Sequence, residues 1–111
     1  MTMTKAVVFI CFTVLSSTAG AQFNAIGRYN NISEFAYLLE RCGALTAERR
    51  TWLKHVRAQA LKSLDWSESR ADQQEEILLR EFAARYREVS RERCAETVRG
   101  VDLERATKFA P

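Results

Sequence analysis

Residues 1–21 set how much of this chain is left to fold and in which redox compartment it does so. Lys5 precedes the uncharged apolar run from Ala6 to Leu15, and Ser16-Ser17-Thr18-Ala19-Gly20-Ala21 follows. A charged start, an apolar stretch and then small residues make up the pattern of a secretory signal peptide. The apolar run is about ten residues, well short of the roughly 20 that a membrane-spanning helix needs. Ala19 and Ala21 offer signal peptidase the small side chains it admits, which puts the expected cut between Ala21 and Gln22. A buried N-terminal helix would need a polar face, which residues 6–15 lack. Lipoprotein processing at Cys11 does not fit, because Ile10 stands where a small residue is required. The expectation is therefore an exported protein, periplasmic or secreted, with no transmembrane helix after cleavage.

Removing residues 1–21 leaves 90 of the 111 residues, enough for one domain with a modest core and a thin stability margin. The same cut removes Cys11, so the odd number of cysteines becomes the pair Cys42 and Cys94. In an oxidising compartment such a pair is expected to form a disulfide. Fifty-one residues lie between them, and closing a loop of that size contributes about 4 kcal/mol on the chain-entropy model, a large share of a typical 5–15 kcal/mol domain stability. Without Lys5 the mature chain carries 16 basic against 14 acidic side chains, a formal +2. That mild excess permits contact with an anionic surface without requiring it, and export argues against a nucleic-acid partner.

Residues 22–30 contain Gly27, Asn24 and Asn30 without a sustained period, and are read as a loose N-terminal arm ahead of a single helical domain, residues 31–111. Asn31 with Glu34 three positions on fits a capping box, and Ile32, Phe35, Ala36, Leu38, Leu39 and Cys42 repeat at helical spacing up to Gly43. Asn31-Ile32-Ser33 also matches a glycosylation acceptor, but the capping role accounts for the same residues in any host. Thr46 is expected to cap a second helix running to about Leu64, with Leu53, Val56, Ala60 and Leu64 facing the core beside Trp52. The segment Asp65-Trp66-Ser67-Glu68-Ser69 breaks the pattern, and a serine within it starts a third helix. Its stripe is Ile77, Leu78, Phe82, Tyr86 and Val89. Cys94 falls to one side of that stripe, so either it sits on the flank or the chain bends just before it. Glu96 to Phe109, interrupted by Gly100, reads as a short fourth helix anchored by Val98, Val101 and Phe109. No run alternates as a half-buried strand does. The expected class is all-α: a small bundle of three to four helices stapled by one disulfide.

Catalytic chemistry is hard to assemble from this inventory. His55 is the sole histidine and both mature cysteines serve better as a bridge. A zinc site with several nitrogen ligands, a glycine-rich phosphate loop and a Gly-x-Ser-x-Gly elbow are all missing. The expectation is a non-enzyme without metal or cofactor. His55 is flanked by Lys54 and Arg57 and is expected to be an exposed helix residue. Arg49, Arg50, Lys54, Arg57 and Lys62 cluster on the second helix, where Glu48 is the single acid. They are candidates for contact with an acidic partner or an anionic surface. Asp65 and Trp66, between helices, are further candidates; the tryptophan serves either as an anchor for a partner or, the favoured reading, as cover for the core.

The segment Tyr37-Leu-Leu-Glu-Arg-Cys42-Gly43, Trp52 ten residues after that cysteine, and Phe82-x-x-x-Tyr86-Arg87 upstream of Cys94 resemble an uncharacterised family of small exported alphaproteobacterial proteins. The resemblance runs from about Ser33 to Cys94. It implies a helical fold, a Gram-negative envelope location and pairing of the two cysteines, and it implies no activity. Family members typically place a Thr-Pro helix start after the second cysteine and aromatics at the positions of Val89 and Arg93, so the C-terminal packing departs from the pattern. Two other groups share the outline of a small two-cysteine helical periplasmic protein: acid-activated chaperones, and immunity proteins that plug secreted amidases. The functional expectation is a non-catalytic protein that binds another envelope protein, as an immunity-type or regulatory partner, with a stress-activated chaperone as the alternative.

Overall fold

The computed structural model describes residues 24–108; the signal peptide and cleavage site expected in residues 1–22 and the anchor expected at Phe109 lie outside them. Within the described residues the chain forms four helices and no strand: α1 over 24–41, α2 Ala47–Leu64, α3 Glu68–Arg85 and α4 Arg91–Lys108. The all-α expectation holds.

The loose arm does not. From residue 24 onward that segment is helical and continuous with α1. Ile26, Tyr29, Ile32, Ala36 and Leu39 follow one another at steps of three or four, so the apolar stripe begins before Asn31. Tyr29 is fully buried. Burying a large side chain contributes roughly 1.5–3 kcal/mol, against about 1 kcal/mol for an N-cap, and the helix runs through the cap. Glu34 is used elsewhere: it accepts from Tyr86 Oη at 2.8 Å and pairs with Arg85 at 3.2 Å. Ser33 Oγ donates back to the Tyr29 carbonyl at 2.9 Å, a bond made inside a helix.

α1 is the axis of the bundle. Along it only Asn24, Gly27, Asn31, Glu40 and Arg41 are exposed; every other position is wholly or partly covered by its neighbours. Tyr29 reaches Ala71, Asn30 reaches Gln74 and Tyr37 stacks near Phe82, in the same order along both helices, so α1 and α3 run parallel. Cys42–Cys94 and Arg28–Glu104 come in opposite order, so α4 lies antiparallel to α1. Its end at Gly43 is set by chemistry: Gly43 takes φ 65, Ala44 N–H bonds Leu39 O and Gly43 N–H bonds Glu40 O, the two bonds of a Schellman stop.

α2 starts and ends as expected. Thr46 accepts from Arg49 N–H, and Trp52, Leu53, Val56, Ala60 and Leu64 are buried. Asp65 closes it at φ 54, a left-handed geometry that aspartate tolerates better than most residues. Ser67 caps α3, whose buried residues are Ala71, Leu78 and Phe82. Ile77, expected in that stripe, lies on its flank and is 51% exposed. Arg85 is the last residue of α3, so Tyr86 and Val89 belong to the non-helical link before α4, and of the two geometries open to Cys94 the chain takes the bend.

The fourth helix is longer than its sequence suggests. It is not a short piece from Glu96 broken at Gly100, but 18 uninterrupted residues. Ser90 accepts from Arg93 N–H and starts it ahead of Cys94. Val101 is fully buried, Thr97 nearly so, and Val98 packs against the core. Cys42 and Cys94 are joined as a disulfide with Cα atoms 5.7 Å apart, inside the range that native bridges occupy.

Candidate interaction face

The five cations of α2 divide into two sets once the helices are packed. Arg49 turns toward α4: its Nε and Nη2 donate to the two oxygens of Asp102 at 3.1 and 2.9 Å, and its Nη1 donates to Ala44 O at 2.8 Å. This is the two-pronged geometry in which guanidinium and carboxylate bind best. Arg57 turns toward α3, donating to Glu75 at 2.9 Å and to Tyr29 Oη at 3.4 Å, with its guanidinium 5.6 Å from the Tyr29 ring. Burial opposes the charge on Arg57, but these oxygens outweigh it and hold its pKa above the usual arginine value. Arg50, Lys54 and Lys62 remain exposed and form no ion pair among the described residues. The patch is therefore narrower than its sequence suggests. Acids from other helices, Asp102 and Glu75, neutralise two of its members, and Glu48 pairs with Arg105 of α4 at 3.5 Å.

Asp102 is the electrostatic hub of the α2–α4 contact. The hydrogen bonds from Arg49 hold its carboxyl below the ordinary aspartate range, against the opposing effect of burial, and the charges of Arg49 and Arg105 add to the same shift. Its folded-state pKa is below the unfolded value, so its contribution to stability is complete above about pH 4 and is lost as pH falls through the folded-state value. An Asp102→Asn variant should accordingly lose less stability than the parent chain on acidification below pH 4, measured as the shift in urea midpoint. Equal acid sensitivity of the two would remove Asp102 from that role.

Asp65 and Trp66 do not present a free loop. Trp66 is half-buried, its ring edge-on to Tyr29 at 5.8 Å, with the Arg70 guanidinium 4.8 Å from its centroid. A mode that inserts an exposed Trp66 into a partner lacks its anchor here. The reading of Trp66 as core cover agrees with this geometry, and Asp65 serves as the exposed left-handed turn that brings the ring round. His55 is exposed on α2 and lines, with Trp52, Asp102 and Arg105, an open cleft of about 890 Å³ between α2 and α4. Trp52 Nε1 is buried with no hydrogen-bond partner among the described residues.

Sequence reasoning missed a second feature of the basic helix. Arg50, Lys54 and Arg57 border a groove of about 410 Å³ between α2 and α3, with α1 as its base. The signal lay in exposed Leu79 beside buried Leu78, but only the packing shows which cations stand opposite it. Among the described residues no cluster of His, Cys, Asp and Glu could hold a metal ion, and no helix is long and apolar enough to cross a membrane. Comparison with family models, with curated proteins and with solved structures gave no match, so the face is read from its own residues alone.

Proposed function

We propose that the chain is an exported, non-catalytic helical protein of the cell envelope that acts by binding another envelope protein; its resemblance to small exported two-cysteine proteins supports the envelope location alone. The observation that carries the reading is the row Arg50, Lys54 and Lys62 on α2, three exposed cations left without an internal counter-charge among the described residues. Long-range attraction from such a row steers an acidic partner and falls with added salt. The Cys42–Cys94 bridge supports the export half of the proposal, because disulfides persist in oxidising compartments.

The test is affinity capture from envelope extracts. Protein recovered from that fraction should begin at Gln22 by mass spectrometry, and reversing Arg50, Lys54 and Lys62 to glutamate should reduce capture of its partner at least tenfold while leaving helicity intact. An intact Met1 would sink the export assignment; unchanged capture would return the row to the status of a solvated surface.

A second reading, a stress chaperone opened by acid, is favoured by one observation: α4 is held to α2 through the acid-sensitive pair Asp102–Arg49. Loosening there would uncover apolar faces to client chains. An uncharged dye such as Nile red separates the two. Its fluorescence should rise steeply from pH 7 to pH 3 for the chaperone and stay flat for a rigid binder.

A further inference from the structure

α4 is joined to the fold differently from the other three helices. The buried apolar core is built by α1, α2, α3 and Tyr86, with Val101 as α4's one member among the described residues. Thr97 and the half-buried Val98 add little apolar area. The remaining ties are polar or covalent. Arg49 pairs with Asp102 at 2.9 Å, Arg105 with Glu48 at 3.5 Å and Arg28 with Glu104 at 3.8 Å. In each pair both side chains keep some contact with solvent, and such pairs are individually weak. The Arg93 guanidinium lies 5.7 Å from the Tyr86 ring.

The docked contact also carries two costs. Among the described residues, two buried side-chain polar atoms lack a hydrogen-bond partner, Trp52 Nε1 and Glu104 Oε2. Both residues belong to this contact: Glu104 is on α4, and Trp52 lines the cleft between α2 and α4. A buried polar group without a partner disfavours the state that buries it, and moving α4 away returns both to water. The chain has a place to bend. Tyr86 Oη donates to Glu34 at 2.8 Å and Arg87 O accepts from Arg41 at 3.0 Å, whereas Glu88 and Ser90, just before α4, are exposed. The Cys42–Cys94 bridge ties α4 back across that bend, and both cysteines are partly exposed.

We propose that Cys42–Cys94 is a redox latch: closed, it keeps α4 in the cooperative fold; reduced by a dithiol, it lets α4 open as a unit and uncover Trp52 while α1, α2 and α3 stay folded. Helices with few buried apolar contacts are the units that open below the global free energy. In the reduction a thiolate of the dithiol attacks one sulfur and the Sγ–Sγ bond breaks, leaving the other cysteine as a thiolate that takes up a proton. The second thiol of the reagent then displaces the mixed disulfide. Two electrons and two protons pass to the protein, both cysteines end as thiols, and the reagent ends as its own disulfide. The latch does not rest on the protein-partner reading, because Arg50, Lys54 and Lys62 border α3 rather than α4.

Amide hydrogen exchange by NMR on the mature chain, disulfide-bonded and after dithiothreitol, tests the proposal. In the bonded chain Val98 and Val101 should exchange no faster than Leu39 of α1 and Val56 of α2. After reduction they should exchange at least about tenfold faster than Leu39 and Val56. The Trp52 indole N–H should then follow α4, while the Trp52 amide stays with α2. The double variant Cys42→Ser with Cys94→Ser should reproduce the reduced pattern and be indifferent to dithiothreitol, which separates the bond from any other action of the reagent. Equal acceleration in all four helices, outright unfolding of the reduced chain included, overturns the proposal in favour of a plain structural staple. So does an α4 that already exchanges ahead of the core in the bonded chain, or one that stays level with it after reduction. Loss of partner capture with this exchange pattern intact would count against the protein-partner reading alone.

Discussion

Opening the Cys42–Cys94 bridge should lower the stability of the folded chain by about 4 kcal/mol, read as a displaced denaturant midpoint. The bond spans a sequence separation of 52, so its loss returns considerable freedom to the unfolded chain. The native side of the balance points the same way. α4 contributes one fully buried apolar residue, Val101, together with Thr97 and the half-buried Val98, too little apolar area to dock a helix of 18 residues firmly by itself. Cys42→Ser, Cys94→Ser and the double variant should lose similar amounts, since each loses the same crosslink. Alkylation of the denatured, unreduced protein should label neither residue. A single variant that retains the parent midpoint would mean that α4 is held by its polar contacts instead.

Tyr29→Ala should be about as damaging, at roughly 3–5 kcal/mol, the range for removing a large aromatic from a core. The ring has no exposed surface, meets Trp66 edge-on at 5.8 Å and lies beneath the Arg57 guanidinium. Its removal therefore empties the point where α1, the α2–α3 turn and α3 converge. Tyr29→Phe isolates the hydroxyl, which donates to Ala71 O at 3.5 Å; a bond that long predicts a loss of 1 kcal/mol or less. Trp66 fluorescence should shift in the alanine variant and hold in the phenylalanine variant. Should Tyr29→Ala cost under about 1 kcal/mol, well below the core range, the N-terminal turns of α1 would have no place in the core.

How much of this was legible in the sequence varied with the kind of force that set each element. α2 could be read from end to end, because Thr46, the apolar spacing and the break at Asp65 all act locally. The stop at Gly43 was legible for the same reason. α1 was misread at its start, since Asn31-Ile32-Ser33-Glu34 is equally good as a capping box and as an interior turn; burial of Tyr29 decides between them, and burial depends on α3. α4 was underestimated because its apolar pattern is sparse. Much of what holds it is polar and distant in sequence: Arg49 to Asp102, Arg28 to Glu104, Cys42 to Cys94. The basic patch failed in the same way. Counting charges along one helix cannot reveal that Asp102 and Glu75 arrive from two others to neutralise Arg49 and Arg57.

The central place of α1 bears on when this chain can mature. Synthesis delivers the N-terminal side first, so the helix that needs cover on nearly every side emerges before any of the three that supply it. Its last face waits for α4, and the bond that secures α4 joins positions separated by 52 in sequence. Contacts at such separations form late, because loop closure precedes any gain from them. A chain arranged in this order stays open until its final helix is released.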